Sequence, residues 1–186
     1  MFVKYNLLIS LAFLSLGLAI TNCSDCPMYW TDATHVGIGC LYFNTSRPTS
    51  WIEAQRSCEA SHDGAHLVEI LNQEQQDYMV MKAEEISYLT WTGDPRAQNP
   101  RRLRDWWIGL TDEVTDGKFY WPYSLKEVNF TAWARGYPKN DFNSNYVQMS
   151  FNSDYQWNDV EEKGIKANDE GSHHNYPICQ LILSEE

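Results

Sequence analysis

Positive charge is scarce in this chain: 14 lysines and arginines stand against 25 aspartates and glutamates, a formal net charge of −11. That argues against a nucleic-acid partner, because phosphate backbones call for clustered cations. Beyond the first twenty residues there is no second long apolar run, so the rest of the chain holds no candidate to span a bilayer. No G-x-S-x-G, H-E-x-x-H or phosphate loop occurs, and nothing else in the sequence points to an enzyme. Repeats and low-complexity tracts are also missing, and 186 residues fit one domain with tails.

What is present begins with Lys4 and an apolar run from Leu7 to Ile20. Small residues at Gly17 and Ala19 suit cleavage after Ala19, so residues 1–19 are expected to be a signal peptide and the protein to be secreted and extracellular. Three glycosylation sequons, at Asn22, Asn44 and Asn129, agree with export. The cysteines are Cys23, Cys26, Cys40, Cys58 and Cys179. In an exported chain they should be oxidised, and an odd number leaves one over. Sequence alone leaves the pairing open. A bridge from the first half to Cys179 would close a loop of about 120 residues and contribute about 4–5 kcal/mol in the chain-entropy model.

Residues 26–43 suggest a short hairpin, with turn-prone Thr31-Asp32 and Gly37–Gly39 between its apolar patches and Cys26 and Cys40 flanking it. Ser50 with Glu53 forms a capping box that opens a helix, and Gly64 is its expected stop. Trp51, Ala54 and Cys58 share one helical face, which should turn Cys58 into the core. His62 and His66 sit four apart, but Gly64 between them ends the helix, so a shared zinc is not expected. A strand from His66 to Ile70 should follow, then a second helix capped at Asn72 and running to about Ile86. Arg96, Arg101, Arg102 and Arg104 make the one basic patch. Strand signals come at Trp106–Leu110, 118–121, 147–151 and 178–183. Helices ahead of several short strands, with long loops, give an α+β fold.

The stretch from Trp133 to Asp159 holds five asparagines, three aspartates and no glutamate. Such side chains bond the local backbone and form turns. They are also the hard oxygen donors that calcium takes.

Taken in order, Cys26-Pro27, Trp30, Cys40–Phe43, Trp51 to Cys58, Gly64–Ile70, Trp107–Leu110, Trp121-Pro122, Trp133 with Gly136 and Pro138, Trp157-Asn158-Asp159 and Ile178-Cys179 resemble the C-type lectin-like domain. The resemblance covers about 26–183. It implies two helices flanking antiparallel sheets, a long ligand-binding loop region and chain ends that meet in one sheet. It also implies bridges Cys58–Cys179 and Cys26–Cys40. Cys23 is then the odd thiol, and an interchain disulfide through it is the expectation. The family's remaining bridge would join the slots that hold Tyr146 and Glu162, so that bridge is lost and the loop is expected to be less constrained.

In sugar-binding members one calcium ion is held by an acid and an amide flanking a cis-proline, a later glutamate, and the Asn-Asp of the W-N-D motif. Sugar hydroxyls complete its shell. By position these slots hold Tyr137, Pro138, Lys139, Ser144, Asn158 and Asp159, with Trp157 opening the motif. Lys139 repels a cation, and one carboxylate with one amide holds calcium poorly. The family's auxiliary calcium position maps to Asp112, Asp116, Asn140 and Asn145, all oxygen donors. The expectation is a secreted carbohydrate-binding lectin, calcium-assisted, recognising glycans or glycoproteins of foreign or self origin, with Tyr137, Trp133 and Tyr155 stacking on sugar faces. The alternative is a calcium-independent module for protein or anionic ligands, to which the arginines at 96–104 contribute.

Overall fold

Ser50 begins the first helix, α1 (Trp51–Ser61), through a reciprocal capping box: its hydroxyl accepts from Glu53 N–H and the Glu53 carboxylate accepts from Ser50 N–H. The buried face of α1 is Trp51, Ala54 and Cys58, as the spacing requires. These contacts belong to a computed structural model that describes residues 25–47, 49–89, 104–139, 141–162, 166–167, 172–173 and 175–183. Residues 1–19, expected to be a signal peptide, lie outside the described residues, as do Asn22, Cys23, Arg96, Arg101, Arg102 and Asn140. The helix stops at Ser61, ahead of the expected Gly64, which at φ +78° makes the following turn.

The strands are β1 (Thr31–Ala33), β2 (Gly39–Phe43), β3 (His66–Leu67), β4 (Asp105–Thr111), β5 (Tyr146–Ser150), β6 (Gln156–Val160), β7 (Lys166–Ala167), β8 (Ser172–His173) and β9 (Asn175–Leu181). The main sheet runs β1-β2-β9-β4-β5-β6, with β3 also on β9, while β7 and β8 form a separate hairpin. The two ends of the domain meet where β2 pairs β9, and Cys58–Cys179 and Cys26–Cys40 are both bridged. Several expectations need correcting: the sheet is mixed, because β4 and β9 run parallel, and the strand expected over His66–Ile70 is only His66–Leu67. The hairpin turn falls at 34–38, and Thr31 and Asp32 lie in β1 instead of in a turn. Residues 118–121 contribute only a bridge from Tyr120 to Thr111.

Helix α2 (Gln73–Leu89) starts where Asn72 Oδ1 accepts from Gln75 N–H and runs past Ile86. Its Gln76 side chain reaches into the sheet, accepting from the Trp157 indole and donating to Tyr155 O. Sheet alternation then divides the interior in two. Trp106, Ile108, Leu110, Val147, Met149 and Trp157 fill the main core with Met79 and Ala83 of α2. Trp107 joins Trp51, Cys58, Cys179 and Tyr146 under α1. Gly109 sits between, where an added Cβ would meet Leu67 O at 2.8 Å. None of the described helices is long and apolar enough to cross a membrane.

Candidate functional site

Three segments converge at one end of the sheet. The first is β6, which carries Asn158 and Asp159 inside a strand that composition suggested was loop. Residues 132–134 dock along it: Trp157 N–H donates to Ala132 O and Ala134 N–H to Trp157 O. The chain then passes through a cis Tyr137–Pro138 bond. Lys139 N–H lies 2.8 Å from each carboxylate oxygen of Asp159, which fastens this second segment to the strand. The third is the turn after β4, held where Asp112 N–H and the Thr111 hydroxyl both donate to Asn145 O, at 3.2 and 2.7 Å.

The side chains differ in what they leave open. Tyr137 is half-exposed, and the exposed Lys139 places its ammonium 5.2 Å from the centre of that ring. Asp141 is a turn former, accepting from Asn143 N–H through its side chain and from Ser144 N–H through its carbonyl. Ser144 is buried in that turn. Trp133 is partly buried, edge-on to Trp157 and tilted against Phe119.

Two aromatic expectations are overturned. Trp157 is fully buried with its indole bonded to Gln76, so it supports the face from beneath and cannot touch a ligand. Tyr155 is also buried, its hydroxyl 2.8 Å from Ser87, and is unavailable for stacking. Of the basic patch, Arg104 is described. It is buried with its guanidinium 4.7 Å from the Tyr176 ring centre, so it forms no part of a surface patch. His62 is exposed beside Trp30, whereas His66 is buried and stacked on Tyr123, so the two do not converge.

The two calcium positions fare differently as donor sets. At the first, Asn158 Oδ1 is buried without a partner, but both Asp159 oxygens already accept from Lys139, and Tyr137, Lys139 and Ser144 bring no carboxylate. A lysine ammonium in place of an acid does not fit a hard cation that takes six to eight oxygens. At the second, Asp112 Oδ2 accepts from Gly117 N–H while Oδ1 is buried and unpartnered. Burial raises the Asp112 pKa above its ordinary value, and the nearby Asp116 and Asp159 charges push it the same way. A buried carboxylate oxygen left bare beside other acids suits a cation, and Asn145, an oxygen-bearing residue, is held against this turn through its backbone carbonyl, which accepts from Asp112 N–H. Among the described residues no group of three or more His, Cys, Asp or Glu stands ready as a metal cluster, so any ion here relies on amide and water oxygens as well.

This architecture is shared with known proteins. The family model for the lectin C-type domain matches residues 47–180, and the chain belongs to that family. It is 30% identical over 149 residues to mouse C-type lectin domain family 4 member E, covering 76% of this chain and 56% of that protein. It is 32% identical over 123 residues to the hepatic lectin of Gallus gallus, covering 65% of this chain and 48% of that one. The chain therefore spans about half the length of these two relatives. Among solved structures, the C-type lectin CEL-I from Cucumaria echinata superposes with a TM-score of 0.62 at 23% identity, covering 86% of this chain and 99% of that one, a likeness of fold.

Proposed function

We propose that the chain is an exported carbohydrate-binding lectin domain whose ligand face is the Tyr137–Lys139 segment, held from beneath by the buried Asn158 and Asp159. One observation carries this. Lys139 N–H is fastened to Asp159, which leaves the half-exposed Tyr137 ring and the Lys139 ammonium side by side at the surface. An aromatic face stacks on the apolar side of a sugar ring, and an ammonium donates to its hydroxyls. The relatives named as lectins support the sugar, and the two disulfides support an oxidising, extracellular setting. In this reading the protein binds and performs no catalysis.

Calcium enters only at the auxiliary position, where Asp112, Asp116 and Asn145 would hold it and Asn140, outside the described residues, would add an amide. The ion would neutralise Asp112 and brace the turn against Asn145. The affinity expected of such an extracellular site is about 10⁻⁴–10⁻³ M. Lys139 also favours a second reading, a calcium-independent module for anionic or protein ligands. A glycan array run with calcium and with chelator decides between them. Binding of neutral glycans supports the lectin, whereas silence on glycans with retention of sulfated or protein ligands supports the second. A disulfide-linked dimer through Cys23 is part of the proposal, and electrophoresis with and without reductant tests it.

A further inference from the structure

Beside the main core lies a hollow of about 350 Å³ lined by Leu71, Trp121, Phe130, Lys126, Glu127 and Asn129. None of these belongs to the ligand face described above. Leu71, Trp121 and Phe130 form an apolar floor continuous with the core, while Lys126, Glu127 and Asn129 are exposed at the rim. Its volume falls at the small end of ligand pockets, roughly 300–1,000 Å³, which suits a sugar ring better than a long chain. Asn129 is also the acceptor of the sequon Asn129-Phe130-Thr131. Asn129 and Thr131 are exposed, and the Asn129 side chain makes no hydrogen bond among the described residues. The Asn44 sequon is engaged instead: its Nδ2 donates to Ser57 and its Oδ1 accepts from Ser46 N–H and from the Ser46 hydroxyl.

We propose that Asn129 carries an N-linked glycan whose innermost sugar is seated in this hollow. The transfer uses a lipid diphosphate oligosaccharide as donor. A bond forms between Asn129 Nδ2 and C1 of the first N-acetylhexosamine, the bond from C1 to the diphosphate oxygen breaks, and Nδ2 gives up one proton as the lipid diphosphate leaves. The tether fixes the occupant, because a sugar attached to a rim residue starts at the mouth of the hollow. Its acetyl methyl and apolar ring face cover Leu71 and Phe130, and its hydroxyls face the Lys126 ammonium and the Glu127 carboxylate. The glycan is then a structural part of the domain. The inference rests on the exported reading, since this donor acts only in the secretory route.

The test is glycopeptide mapping of the full chain secreted from eukaryotic cells, with thermal melting of that protein and of Asn129→Gln and Thr131→Ala, which remove the sequon through different residues. A glycan at Asn129, and midpoints about 2–4 °C lower in both variants, are expected. Trimming the glycan to its innermost sugar should leave the midpoint of the unsubstituted protein in place. In protein from a bacterial periplasm, which is disulfide-bonded but unglycosylated, the same substitutions should change nothing. A bare Asn129 overturns the proposal, as does a drop on trimming equal to that of the variants, or an equal drop in the periplasmic protein. If Asn129 is bare while Cys58–Cys179 and Cys26–Cys40 are formed, only the seat fails. If the disulfides are missing too, the exported reading fails with it.

Discussion

Tyr146 lies against Trp51, ring centres 5.1 Å apart, and Trp51 donates its backbone N–H to Glu162 O at 2.9 Å. Tyr146 and Glu162 occupy the slots where the family's loop disulfide would stand, so both ends of that lost bridge converge on one tryptophan of α1. The loop therefore keeps an anchor, now made by packing and one hydrogen bond. Truncating the ring should be costly, because it empties a buried site: Tyr146→Ala is expected to lose about 3 kcal/mol in urea unfolding. Tyr146→Phe should lose about 1 kcal/mol or less. Equal losses in the two variants would mean that the hydroxyl, and not the ring, holds the loop.

The same tyrosine gives an alkaline signature. Burial and the neighbouring Glu113 carboxylate push its pKa up to about 12. In the unfolded chain it titrates near 10, so between roughly pH 10 and 12 the unfolded state has given up the proton that the folded state retains. Stability is then lost as pH rises through that window, by on the order of 2 kcal/mol, and the contribution is absent below pH 9. Tyr78, Tyr120 and Tyr155 shift in the same direction, chiefly through burial, and add to the slope. Unfolding free energies at pH 8 and pH 11 should differ less for Tyr146→Phe than for the unsubstituted protein.

Asp112 acts with the same sign at the acid end, where stability again falls as pH rises. Its folded pKa is raised, mainly by burial and then by Asp116 and Asp159, so its charge weighs against the fold at neutral pH. That burden lifts as pH falls through the raised value and is gone below the unfolded value. Removing the charge while keeping an acceptor for Gly117 N–H should help the calcium-free protein: Asp112→Asn is expected to melt higher in chelator. With calcium at ten times its dissociation constant the unsubstituted protein should gain about 1.4 kcal/mol, and the variant nothing. Melting in chelator and in millimolar calcium checks both halves, and a calcium response that survives Asp112→Asn would place the ion elsewhere.

The features legible in the sequence are those written locally. Ser50 and Glu53 announce the cap of α1, and the spacing of Trp51, Ala54 and Cys58 announces its buried face, because each depends on neighbours within one or two turns. The order of motifs carried the family, the pairing of Cys58 with Cys179 and the meeting of the chain ends. What stayed hidden depends on distant partners. Asn158 and Asp159 have the composition of a turn, yet β5 and the Lys139 N–H hold them in strand β6. Residues 118–121 have strand-like aromatics, but Pro122 cannot donate and the pairing stops at Tyr120. Tyr155, at φ +57°, looks like an exposed loop aromatic until α2 supplies Ser87 for its hydroxyl. The parallel pairing of β4 with β9 leaves no mark in either segment alone.

The aromatic residues around the ligand face separate by burial, and that gives the sharpest test of where a sugar sits. Tyr137 is half-exposed beside Lys139, so Tyr137→Ala should weaken glycan binding roughly two- to tenfold, in line with the 0.5–1.5 kcal/mol typical of an aromatic contact, and leave the melting midpoint nearly unchanged. Trp157 is wholly enclosed and bonded to Gln76, so Trp157→Ala should cost roughly 3–5 kcal/mol and reduce binding only through loss of the fold. Tyr155→Phe gives up the bond to Ser87, worth about 1 kcal/mol, with affinity intact. Isothermal titration with whichever glycan the array identifies, paired with melting curves, reads both quantities on each variant. Full affinity in Tyr137→Ala would move the ligand off this face, and the Asp112 turn with its calcium position would then be the next surface to probe.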